Sequence, residues 1–171
     1  MKSILPNLSQ YKIVLGSNSP RRRELLAGLD IDFEVQTIPD IDESFPKTLR
    51  SDEVPVYIAR KKAEAYISSM SADELLITAD TIVWTFSEIL GKPKDREDAI
   101  AMLRKLSGHV HEVITGVCIT TKEKTVSFSA SSTVCFARLD DDEIVIKPVA
   151  MAYRNGSGTW QSKPSMAVFI T

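Results

Sequence analysis

The chain has 171 residues, a formal net charge of -2 and 43% hydrophobic residues, which suits one domain with a full hydrophobic core. That charge excludes a protein that coats nucleic acid or membrane through bulk positive charge, so any anion site must be local. Two cysteines without CxxC spacing exclude a disulfide framework. With no apolar h-region at the start and no run of about 18 apolar residues, the expectation is a cytoplasmic chain without a membrane span.

Strand-like and helix-like segments alternate, which predicts an α/β layer architecture. The run from Tyr11 to Gly16 reads as a buried strand, and Ser19 before Pro20 reads as an N-cap followed by the favoured first helical residue. The helix from Pro20 to about Gly28 then opens on Arg21, Arg22 and Arg23. A helix N-terminus already carries about half a positive charge, so each cation there costs roughly 0.3 to 1 kcal/mol unless an anion is bound. Free backbone N-H groups and guanidinium forks both suit phosphate oxygens, so this start points to a phosphate-bearing ligand.

A short strand around Phe33 to Thr37 follows, then the acidic loop Pro39 to Pro46 and a helix from about Glu53 to Met70. Leu75 to Trp84 is almost continuously apolar, as a central strand covered on both faces should be. The turn Gly91-Lys92-Pro93 leads to a helix over 96 to 106, closed by Gly108 near C′. Two strands, 112 to 121 and 125 to 139, form a predicted hairpin through Lys122, Glu123 and Lys124. Cys118 and Cys135 both fall in these apolar runs and read as buried free thiols.

Asp80 is a lone carboxylate inside the apolar strand. Unpaired burial would be expensive, so it must be paired, protonated or bound to a metal. Thr81 beside it offers a hydroxyl. Lys62 lies on the apolar stripe of its helix, where it either snorkels to solvent or meets a phosphate. Lys92 is a further candidate cation. Asp40, Asp42 and Glu43 are hard oxygen ligands of the kind that magnesium or manganese bridging phosphates requires, although solvated loop charge is the default for each. His109 and His111 alternate, so on a strand they would share a face, but they lack the further ligands a zinc site needs. No Walker A loop, GxGxxG, HExxH or nucleophile elbow is present.

Six ordered segments resemble the Maf family of nucleoside triphosphate pyrophosphatases. They are Ser17 to Arg22, Ile41 to Glu43, Ala59 to Ala63, Ala79 to Thr81, Gly91 to Pro93, and Ser107 to His109 continuing to Thr115 to Val117. The resemblance implies a single α/β domain with a central mixed β-sheet flanked by helices, Maf/ITPase-like. It also implies hydrolysis between the α and β phosphates of a nucleoside triphosphate with a divalent cation, Mg2+ or Mn2+. Asp80 matches the general base and, with Glu43, the metal positions. Ser17, Arg22, Lys62 and Lys92 match substrate positions, while Arg21 and Thr81 match positions that set base preference and look like the dTTP and UTP branch. Neither nucleic acid nor membrane is an expected partner, and the oligomeric state, homodimer included, stays open.

The resemblance covers residues up to 144; the family's tail motifs are missing from 145 to 171. Back-translated with free codon choice and read in a shifted frame, Tyr153 to Thr171 yields V-Q-E-W-I-G-Y-V-A-V-E-A-I-D-G-S-F-Y-N, which is family-like. The expectation is a core over 1 to 144 and an aberrant, frameshifted and weakly packed tail. An inactive or merely nucleotide-binding product is the alternative to a working enzyme.

Overall fold

The computed structural model describes residues 6–91, 93–144 and 169–170. After a 3-10 turn at Pro6–Leu8 come β1 (Lys12–Leu15), α1 (Pro20–Ala27), β2 (Glu34–Val35), α2 (Val54–Glu64), β3 (Glu74–Trp84), β4 (Ile89–Leu90) and α3 (Arg96–Leu106). β5 (Val110–Thr120), β6 (Thr125–Cys135) and β7 (Phe169–Ile170) complete the order. The strands pair in the order β2-β1-β3-β5-β6-β7, with β4 also on β3. The sheet is mixed: β1 runs parallel to β2 and β3, with Leu15 beside Val35 and Ile77, whereas β4 is antiparallel to β3. The predicted α/β architecture with a mixed sheet and flanking helices is therefore present.

Contacts gather into two compact units. One comprises the residues up to Thr81 with Thr115–Ala130, and the other comprises Ile82–Ile114 with the residues from Ser131 onward. The first has a core of Val14, Ala59, Ala63, Tyr66, Met70, Leu76 and Cys118, with Ile41 packed against it. Ala59 and Ala63 recur at helical spacing, so α2 presents its small-residue stripe to the strands. The fit of that helix is set by Gly116: a Cβ there would lie 2.3 Å from the backbone of Pro55 and Val56. Only glycine lets β5 approach so closely. Tyr66 is buried, and its hydroxyl donates to Gln36 O and accepts from Ile38 N, both at 3.0 Å, which anchors the chain leaving β2.

In the second unit, Leu90, Met102 and Leu106 pack with Val83 and Phe136, while Leu103, Leu139 and Ile144 form an adjoining cluster. The α3 stop matches the sequence reading, with Ser107 as C-cap and Gly108 at φ +70°, the left-handed position that glycine occupies without strain.

Three expectations change. The predicted helix to Met70 ends at Glu64, and 65 to 69 continue as turns. The last long strand ends at Cys135 rather than at residue 139. Cys118 is buried as expected, but Cys135 is exposed, in a strand that leaves most of its residues exposed on both faces. The expected tail from 145 lies outside the described residues apart from β7, whose Ile170 and Phe169 pair antiparallel with Val134 and Cys135.

Candidate active site

The site is built where β1 hands over to α1, beside the middle of β3. Ser17 follows the strand and is buried, and its Oγ accepts from Ser19 N at 3.3 Å. Ser19 is the N-cap and Pro20 the first helical residue, as the sequence indicated, although the Ser19 side chain makes no capping bond. The first turn carries no acid to offset its arginines. Those arginines divide their work. Arg23 donates to Asn18 Oδ1 at 3.1 Å, and Arg21 is exposed and makes no hydrogen bond or ion pair among the described residues. Arg22 turns inward, donating from Nη1 to Ser17 Oγ at 3.0 Å and to Ala79 O at 2.9 Å, and from Nη2 to Thr81 Oγ1 at 3.1 Å.

On β3, Asp80 is largely enclosed, with 15% of its side chain exposed, and accepts from Lys62 Nζ at 2.7 Å. The same ammonium lies 2.8 Å from Glu43 Oε1. Lys62 therefore did not snorkel away: it is 14% exposed and bridges two carboxylates from separate segments. Its neighbour Lys61 pairs with Asp42, so two successive lysines of α2 hold two successive acids of the loop. Lys61 and Ser44 together hold the Asp42 carboxyl well below its usual range. Asp42 is thereby committed to fixing the loop. Asp40 sits at φ +55° in the left-handed region, at the bend that turns the loop.

Burial pushes the Asp80 carboxyl above its ordinary pKa, and Lys62 acts against that rise. The outcome is a carboxylate more basic than an exposed one and held in its ionised form by an ammonium, which suits a proton acceptor. Burial likewise pulls Arg22 down, and the charges of Asp80 and Glu43 oppose it. The hydroxyl of Thr81 stands 3.0 Å from that of Thr115 on β5. Thr115 falls within the Thr115 to Val117 segment, but its place opposite Thr81 depends on strand pairing, which residue type does not reveal.

Among the described residues no group of three or more His, Cys, Asp or Glu is arranged to hold a metal ion. Glu43 and Asp80, brought to one ammonium, offer two hard oxygen donors, which fits a magnesium-type ion that completes its shell with water and substrate phosphates. Of the sequence-derived candidates, Ser17, Arg22 and Thr81 share one set of contacts and Glu43, Lys62 and Asp80 another, the two meeting on β3 where Asp80 and Thr81 adjoin. Arg21 stands exposed at the start of the helix that carries Arg22. Lys92 lies outside the described residues.

Comparison with known proteins gives a consistent result. Residues 12–150 match the family model described as Maf-like protein. A dTTP/UTP pyrophosphatase of Parabacteroides distasonis is 67% identical over 82% of this chain and 73% of its own length. One of the same description from Phocaeicola vulgatus is 53% identical over 92% of this chain and 84% of its own. Among solved structures, the Staphylococcus aureus Ham1 protein superposes with a TM-score of 0.51 at 19% identity, covering 74% of this chain and 72% of that one. This likeness bears on the fold alone.

Proposed function

We propose that this chain, which belongs to the Maf-like protein family, is a nucleoside triphosphate pyrophosphatase acting on dTTP and UTP in the housekeeping of nucleotide pools, as its curated relatives are described to act on those two nucleotides. The observation that carries the chemistry is Asp80, enclosed, raised by burial and held ionised by Lys62 with Glu43 alongside.

Asp80 accepts a proton from water as the water oxygen bonds to the α-phosphorus. The bond from that phosphorus to the oxygen bridging toward the β-phosphate breaks, giving a nucleoside monophosphate and pyrophosphate. Placing the base within hydrogen-bond reach contributes about 10²- to 10⁴-fold. A divalent cation, Mg2+ or Mn2+, held by Glu43 and Asp80 would neutralise phosphate charge and polarise the phosphoryl oxygens. Lys62 then has phosphate oxygens as further acceptors. Arg21 at the positive end of α1 is left to meet the nucleotide, and Thr81 with Thr115 presents hydroxyls for the base. Lys92 belongs to the same reading from sequence, as do a cytoplasmic setting and an oligomeric state that includes the homodimer.

The test is pyrophosphate release from dTTP and UTP with magnesium or manganese, for the unmutated chain and Asp80→Asn. Release should fall about 10²- to 10⁴-fold in the variant, with nucleotide binding retained by calorimetry. Turnover that survives Asp80→Asn, or its absence in the unmutated chain, would overturn the reading.

A further inference from the structure

We infer that Arg22 is a positioning residue for Asp80, whatever it also gives the triphosphate. The inference rests on the hydrolytic reading of Asp80 given above. Of the three arginines that open α1, Arg22 alone has both terminal nitrogens engaged among the described residues. Two of its acceptors come from β3, the Ala79 carbonyl and the Thr81 hydroxyl, which are the residues on either side of Asp80 in the chain. The third, Ser17 Oγ, belongs to the link that carries β1 into α1. One planar fork therefore ties the start of a helix to the strand segment that presents the base. A guanidinium suits that task because its donors are fixed in one plane, whereas an ammonium is a single rotating point.

Ser17 and Ala79 are 8% and 5% exposed. These bonds use three of the five guanidinium N-H donors, and breaking them would strand buried acceptors that water cannot readily satisfy, which holds Arg22 in this place whatever its remaining donors meet. Arg21 faces no such constraint, being exposed and without a protein partner among the described residues. The anion that the helix start calls for can be met by Arg21 and the backbone while Arg22 stays in place. The hydroxyl of Thr81, accepting from Arg22, continues to Thr115 at 3.0 Å, so the same clamp reaches β5.

Steady-state pyrophosphate release from dTTP with magnesium tests this in Arg22→Lys, Ser17→Ala, their double variant and Asp80→Asn, each with a thermal melt. In Arg22→Lys, kcat should fall at least about tenfold, whether or not KM also rises, since misplacing a reacting group by about 1 Å can cost about a hundredfold. The double variant should be little worse than Arg22→Lys alone, because both substitutions release the same clamp. A tenfold rise in KM with kcat kept would make Arg22 a phosphate ligand alone and overturn the inference. So would a loss of kcat that merely tracks the fraction unfolded. An Asp80→Asn chain that still turns over sinks the underlying reading instead, whereas an inactive Asp80→Asn beside an Arg22→Lys that raises KM and keeps kcat sinks only the clamp.

Discussion

Lys62 on α2 donates to Asp80 on β3 at 2.7 Å while standing 2.8 Å from Glu43, so one ammonium holds together two carboxylates that come from separate parts of the sequence. The arrangement is a charge balance with a defined failure. Lys62→Met removes the cation and leaves two acids, one of them largely enclosed, facing each other. Without added metal, the variant should lose about 1 to 3 kcal/mol, the range for an enclosed polar group deprived of its partner. Manganese should then raise its melting temperature more than it raises that of the unmutated chain, because the ion takes the place the ammonium held. Equal protection of both chains would show that the ammonium of Lys62 does not compete with the cation for Glu43 and Asp80, and protection of neither would show that the two acids do not seat it.

Gly116 makes a second, purely steric prediction. A methyl group added there would lie 2.3 Å from Pro55 C and Val56 N and 2.5 Å from Pro55 O. These are backbone atoms, so no rotamer change can relieve the clash. Gly116→Ala should destabilise by about 3 kcal/mol, the upper part of the range for overpacking, in urea unfolding followed by circular dichroism. A loss below about 0.5 kcal/mol, the level of an indifferent surface substitution, would mean that α2 can shift away freely.

The fold was legible where the pattern was local. Apolar runs marked β1 and β3, Pro20 marked the start of α1 and Gly108 the end of α3, because each signal is a property of a few adjacent residues. The end of α2 was not, since Ala65 to Ser69 look helical by composition yet close as turns while Tyr66 is held by Gln36 and Ile38. In the site, Asp80, Lys62 and Glu43 could each be named from residue type and motif, but that one lysine joins both acids is a tertiary fact. The same holds for Arg22. Its position in the arginine run suggested phosphate, and only the placement of Ser17, Ala79 and Thr81 around it reveals what it grips.

The cap of α3 offers a calibrated check on the second unit. Asp95 is the N-cap, and its side chain accepts from Asp98 N at 2.8 Å. Asp95→Ala should cost about 1 kcal/mol, whereas Asp95→Asn, which keeps the acceptor, should cost much less. A lower urea midpoint at unchanged slope is the expected signature, and equal midpoints for both variants would remove the cap from the account.

His111 sets a dependence on pH away from the site. It is 4% exposed, its Nδ1 has no hydrogen-bond partner among the described residues, and its ring lies 5.9 Å from that of Phe136. Burial lowers its pKa below the ordinary 6.5. In the unfolded chain the imidazole takes up a proton near pH 6.5, while the folded form resists until a lower pH. Between those two values the unfolded state binds more protons, so stability present at pH 8 is lost as the pH falls through the unfolded value. The slope from this one group has an upper limit of about 1.4 kcal/mol per pH unit. Carboxylates contribute their own dependence at lower pH, so the comparison is with His111→Phe, measured by urea unfolding at pH 8, 7, 6 and 5.5. The unmutated chain should lose stability relative to the variant over that interval, and parallel curves would show that His111 is protonated as easily folded as unfolded.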